Sequence, residues 1–309
     1  MSQRIEWVIH VWGMKRDTLK LNPIEEYHLD MLKKYRKQQK RFDRILVNIA
    51  LDDVEDMKLF DFLKEKICDV MSYDNVEFTY CQNEKSKGEY VTFRPYVFDR
   101  IGEDVCIFYS HFKGYATHIN INRESFPLRI IHLNQMFWSY LMYAYSMNID
   151  DVLDKLKDKC TYSWFVLKND GEKRNMSYYD SYMDCLYTGD EKFKDYVEDN
   201  LRKHSPGSFV WYNMKNLGTA LKDKPLVTSV KDDFLVKNTI EGKANLCGHF
   251  CELYVMPFLK ESDCYSVNDF NEAVNEMENT MYSGVYSYKK IGREHLKEFE
   301  KYLIDNKII

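Results

Sequence analysis

Short apolar blocks punctuate this chain, and longer segments between them carry apolar residues at three- and four-residue spacing. Glu6 to Trp12 (EWVIHVW), Arg44 to Ala50 (RILVNIA), Val76 to Tyr80 (VEFTY) and Val105 to Tyr109 (VCIFY) are runs rich in β-branched and aromatic residues. Such runs predict buried strands. Between them, Asn22-Pro23 opens a helix, with Asn at the N-cap, Pro in the first turn, and Glu25 and Glu26 set against the helix dipole. A second helix is expected from Asp53 to Tyr73, with Leu59, Phe62, Leu63, Ile67 and Val70 on one side, and a third from Tyr90 to Ile101. Strand–helix–strand repetition at this rhythm predicts a largely parallel sheet.

Beyond Ile131 the rhythm changes. His132 to Met147 is strongly apolar and aromatic and reads as a helix, followed by a short charged helix from Ile149 to Lys159. Tyr162 to Lys168 and Gly207 to Met214 read as strands, and Asn245 to Phe258 as a helix. The tail from Val267 reads as two amphipathic helices around a strand-like piece, Val285 to Tyr288. With 309 residues, the chain is at the upper limit for one hydrophobic core. The pattern divides it into an α/β domain, residues 1–260, and a helical carboxyl-terminal appendage, residues 261–309.

Composition excludes some classes of function. A net charge of −5 argues against a protein dedicated to nucleic acid. No segment approaches a membrane span or a signal peptide, so the expectation is a cytoplasmic protein with reduced thiols. Cys247, His249 and Cys251 could offer metal ligands, but no second Cys/His pair follows at a zinc-site spacing. The expectation is therefore no metal and no cofactor.

The candidate chemistry gathers where the VCIFY strand ends in Ser110-His111-Phe112-Lys113-Gly114. In open α/β sheets, ligands bind at the carboxyl ends of strands. A His and a Lys two apart could there face an anion, unless the stretch is only a surface loop.

Three blocks together carry a resemblance. Glu89 to Phe93 (EYVTF), placed before IFYSHFKG, is similar to the E-x-x-T-L and L-Y-x-H-T-K-G signature of a group of bacterial GT-A-like glycosyltransferases. Gly207 to Leu217 (GSFVWYNMKNL) resembles that group's GNFWW block, and His249 to Leu259 (HFCELYVMPFL) resembles its R-x-x-A-E-x-W-I block. The resemblance implies a GT-A-like, Rossmann-like three-layer sandwich that transfers sugar from a nucleotide-sugar donor. The acceptor would be a polysaccharide or glycolipid, as in capsule synthesis, at the inner face of a membrane.

It implies donor contacts from His10, Glu89, Thr92, Ser110, His111, Lys113 and Gly114. Acceptor contacts would come from Trp138, Ser208 and Trp211, and the general base would be Glu252 or His249. A glutamate on a helix is also an ordinary solvated residue. The chain departs from the usual GT-A pattern in one respect: no Asp-x-Asp occurs, and Asp52-Asp53, Asp150-Asp151 and Asp232-Asp233 are adjacent pairs. Adjacent side chains do not point together. Lys113 and a protonated His111 could supply the charge that a metal otherwise supplies. Two other classes stay open: a catalytically silent sugar-nucleotide-binding or scaffold module, and a phosphate-handling α/β enzyme. The latter would want a Gly-rich phosphate loop, which is missing from the chain.

Overall fold

The computed structural model describes residues 3–71, 74–84, 88–112, 136–137, 139–165, 167–169, 202–204, 209–223, 256–268 and 293–306. Its centre is a seven-stranded sheet. In chain order the elements are β1 (Arg4–Gly13), α1 (Pro23–Lys34), α2 (Arg36–Gln39), β2 (Arg44–Leu51), α3 (Met57–Val70), β3 (Val76–Gln82), α4 (Tyr90–Tyr96) and β4 (Val105–His111). There follow α5 (Ile149–Leu156), β5 (Thr161–Phe165), β6 (Leu167–Asn169), β7 (Arg202–His204), β8 (Val210–Asn213), α6 (Met214–Ala220), β9 (Cys264–Asn268) and α7 (Arg293–Asp305). Residues 136–137 and 139–146 are also helical, inside the apolar stretch where a helix is expected.

The strand order is β3-β2-β1-β4-β8-β5-β9, and β6 pairs with β7 in a separate ribbon. The first four strands run parallel. β8 is antiparallel to both neighbours, and β5 pairs in parallel with β9. VCIFY therefore lies in the middle of the sheet. Its strand is buried along its whole length, the state that an unbroken apolar run predicts.

Alternation along the strands sends side chains to two separate cores. Trp7, Ile9, Val11, Cys106 and Phe108 pack with α1, α3, α7 and the helix through residues 139–146. Val8, Val105, Ile107 and Tyr109 pack with α4 and α6 on the other face. Helices on both faces of a largely parallel sheet make an α/β, Rossmann-like sandwich. The first helix starts where its sequence dictates. Asn22 caps α1, accepting from the Ile24 and Glu25 amides at 3.0 Å each, while Glu25 bonds back to the Asn22 amide at 2.8 Å.

Two boundaries differ from the sequence reading. The helix expected to reach Ile101 stops at Tyr96, because Pro95 withholds an amide and a short 3-10 turn, Phe98–Arg100, takes over. The appendage expected from residue 261 opens with β9, which is the last strand of the main sheet. Its terminal helix α7 buries Phe299 and Leu303 in the same core as β1 and α1. These described pieces are thus built into the α/β unit, and hydrophobic periodicity could not reveal that attachment. No helix among the described residues is long and apolar enough to cross a membrane.

Candidate functional site

The chain leaves β1 toward β2 and β3 on one side, then returns to place β4 on the other. Strand order reverses between β1 and β4, and a crevice opens at such a point beyond the carboxyl ends of the strands. Register sets the side chains there. His10 pairs with Asn48 of β2 and with His111 of β4, and Asn48 pairs with Thr79 of β3. Residues in register across parallel strands point to the same face. Thr79, Asn48, His10 and His111 consequently form one polar row across four strands, under the start of α4.

Hydrogen bonds run along this row in one direction. The Thr79 hydroxyl donates to Asn48 Oδ1 at 2.8 Å, and Asn48 Nδ2 donates to Thr92 Oγ1 at 2.6 Å and to Cys81 Sγ at 3.3 Å. Thr92 Oγ1 lies 2.7 Å from His10 Nδ1. Because the Thr92 oxygen already accepts from Asn48, its own proton is free to go to His10 Nδ1. With the Thr92 hydroxyl donating, His10 is a neutral ring that carries its proton on Nε2. Burial pushes the His10 pKa down to about 4, with Glu89 opposing the shift and His111 adding to it. His10 is only 6% exposed.

At the end of the row, His111 Nδ1 makes an ion-pair contact with Glu89 Oε1, the residue just before α4. Neither His111 ring nitrogen has a hydrogen-bond partner among the described residues. The contact is therefore electrostatic. The Tyr109 hydroxyl donates to the other Glu89 oxygen at 3.3 Å. His111 is 5% exposed, so an unsatisfied ring nitrogen here is costly unless something else meets it.

Two ties brace the rim. Asp52, just past β2, accepts from Trp12 Nε1 at 2.8 Å, from the Lys15 amide at 3.1 Å and from Asn83 Nδ2 at 2.8 Å. Arg16, beyond β1, grips Glu25 of α1 through two bonds of 2.9 and 2.6 Å. The segment leading from β1 into α1 is thereby fixed at both ends.

His10, Glu89, Thr92 and His111 are brought together. Ser110 and Trp211 lie on the opposite face. The Ser110 hydroxyl accepts from Trp7 Nε1 at 2.8 Å inside the larger core. Trp211 is fully buried, stacked on Phe108 and Phe42, with its Nε1 donating to the Ser146 carbonyl at 3.0 Å. Lys113, Gly114, Trp138, Ser208, His249 and Glu252 lie outside the described residues, as do Cys247 and Cys251. Among the described residues no group of three or more His, Cys, Asp or Glu side chains could hold a metal. Neither Asn48 nor Thr79 is named from the sequence. Asn48 is a polar residue inside the apolar run of β2, and that interruption is the signal that could have found it; Thr79 is one of several polar residues of β3 and carries no such signal.

No family model matches the chain, and no curated protein does. Among solved structures it is similar to a 4-diphosphocytidyl-2C-methyl-D-erythritol synthase from Anaerococcus prevotii, with 13% identity and a TM-score of 0.34 over 97% of this chain and 96% of that one.

Proposed function

We propose that this protein transfers a sugar from a nucleotide-sugar donor to a glycan or glycolipid acceptor, working against the cytoplasmic face of a membrane. The observation that carries the reading is the polar row at the strand-order reversal, with paired imidazoles from β1 and β4 and α4 residues above them. A donor's diphosphate would lie over the carboxyl ends of β1 and β4. Lys113, two residues past the end of β4, would add a point charge there. As the glycosidic bond breaks, negative charge grows on the leaving diphosphate, and fixed cations lower the barrier most at that stage. Glu252, with His249 as the next candidate, would take the proton of the acceptor hydroxyl, and Trp138 and Ser208 would hold the acceptor.

Titration calorimetry with UDP-, GDP-, CMP- and dTDP-sugars tests the reading, alongside an assay of nucleotide release with and without glycan acceptors. One of these donors is expected to bind, and its affinity should survive EDTA, because the chain has no Asp-x-Asp. A donor panel that fails to bind would overturn the proposal. A silent binding module is the second reading, and the missing Asp-x-Asp favours it; donor binding without turnover on any acceptor would select it.

A further inference from the structure

The row holds two imidazoles side by side, and their surroundings differ. His10 is locked into a hydrogen-bond chain with Thr92, Asn48 and Thr79 and remains neutral. His111 faces a carboxylate on one side, and neither of its ring nitrogens has a hydrogen-bond partner among the described residues, although it is almost wholly buried. We infer that Glu89 and His111 form a proton-coupled anion clamp: His111 takes a proton from solvent as a phosphoryl oxygen docks against its Nε2, and Glu89 balances the ring's charge at Nδ1. The inference rests on the reading of this site as the place where a nucleotide diphosphate binds.

Each neighbour of His111 bears on that assignment. From β1 comes His10, which stays neutral and does not compete for the proton. From the start of α4 comes Glu89, whose carboxylate oxygen lies against His111 Nδ1. β4 itself supplies Tyr109, whose hydroxyl bonds to Glu89 and keeps that carboxylate in place. The residue leading into β8 presents only the edge of the Phe209 ring, 6.0 Å away between centroids. A carboxylate beside an anion site would by itself repel the ligand. Paired with a protonated His111 it leaves the site neutral, and a cationic N–H facing the phosphate makes a short, strong bond. Histidine is the side chain whose charge changes most readily between about pH 5 and 8, so such a clamp would bind tightly on the acid side and loosen on the alkaline side. No bond of the ligand is made or broken; one proton passes from buffer acid to His111 Nε2 on docking, forming an N–H bond, and returns on release.

The test uses the full chain, with UDP-glucose, the other donors of the panel and inorganic pyrophosphate as probes. Calorimetry in two buffers of different ionisation heat counts the protons taken up, and the His111 ring is followed by NMR from pH 5.5 to 8.5. The expected results are net proton uptake on binding and an affinity that falls about 10-fold or more across that range. His111→Gln should abolish the uptake and flatten the pH profile. Glu89→Gln should keep the uptake but shift the profile toward lower pH.

Donor binding with no proton uptake and a flat profile would overturn the clamp and leave the proposed function standing. If no donor binds but pyrophosphate does, with proton uptake at His111, the clamp stands and the sugar-transfer reading falls. If nothing in the set binds, both fall. The wild-type measurements decide each case even should a variant fail to fold.

Discussion

His10 titrates near 4 in the folded chain because burial disfavours its charged form. In the unfolded chain it titrates near ~6.5. Between those values the unfolded state binds the extra proton, so stability fully present above pH ~6.5 drains away as the pH falls toward 4. The upper bound for this single group is on the order of 3 kcal/mol. Glu6 acts lower on the scale. Its burial would raise its pKa, but the hydrogen bonds from Arg100 and the charges of Arg100, Arg4 and Arg44 outweigh that and hold it below 4.5. Its contribution is therefore lost only below the ordinary carboxylate range. Urea unfolding of the parent and His10→Gln at several pH values from 7 to 5 separates the two effects. The parent should lose stability steeply over this interval and the variant should lose much less. Equal slopes would mean that His10 is protonated in the folded state.

The row's other members make a second prediction of this kind. Thr92→Val keeps the shape of the side chain but strips the acceptor from Asn48 Nδ2 and the donor from His10 Nδ1. Buried polar groups left without partners cost about 1–3 kcal/mol. Replacing Ser110 with Ala removes one acceptor for Trp7 Nε1 on the other face and should leave nucleotide binding unchanged. Thermal melting combined with donor titration reads both variants. If Ser110→Ala weakened binding as much as Thr92→Val, the division of the two faces would be wrong.

Among the elements, α6 is tightly constrained. Gly218 lies against the turn that leads into β4, where Gly102 holds φ +97° and its amide donates to the Met214 carbonyl at 2.8 Å. A methyl group at position 218 would fall 2.6 Å from Gly102 Cα and 2.9 Å from its nitrogen. Those are backbone atoms and cannot rotate aside, so α6 must lift from the sheet. Alanine favours a helix by about 1 kcal/mol over glycine, yet the expected outcome of Gly218→Ala is a loss of about 1–3 kcal/mol from overpacking. A raised melting temperature would refute that.

Elements were also the scale at which the sequence was most legible. The runs of β1, β2, β3 and β4 announce themselves within one or two residues of their observed ends; β1, β2 and β4 are buried on both faces and so apolar almost throughout, while the edge strand β3 shows in its β-branched and aromatic residues. β9 gave no such sign: Cys264–Asn268 is a short, half-buried edge strand with no clear alternation. At the site, His10 and His111 could be named from their strands, but their partnership could not. It depends on register between strands that are distant in sequence. Ser110 and His111, grouped in the sequence reading, lie on opposite faces for a simpler reason, because neighbours on a strand point opposite ways.

For the whole molecule, the question is whether the carboxyl-terminal region stands apart or completes the core. α7 places Phe299 against Phe137 and Tyr140, with ring centroids 4.9 and 5.4 Å apart, and it buries Leu303 beside them. Tyr302 donates its hydroxyl to Asp30 of α1 at 3.0 Å, and Glu298 pairs with Lys34 at 2.7 Å. Lys34 also bonds the Tyr140 hydroxyl and sits over that ring, 4.1 Å from its centroid. α7 thus clamps α1 to the helix through residues 139–146, on the face opposite the polar row. A chain ending at residue 292 would expose the sites of Phe299 and Leu303 to water. Truncations of that size in a core cost about 3–5 kcal/mol for the aromatic and about 2–5 kcal/mol for the leucine. A domain's whole stability is about 5–15 kcal/mol. The shortened chain should therefore melt at a far lower temperature, or fail to fold. One ending at residue 260 would also lose β9 and leave an edge of β5 unpaired, and it should be the worse of the two. Circular-dichroism melts of the three lengths settle the matter. If the chain of 260 residues unfolded as cooperatively and at the same temperature as the parent, the terminal helix would be a passive attachment and the α/β unit would be complete without it.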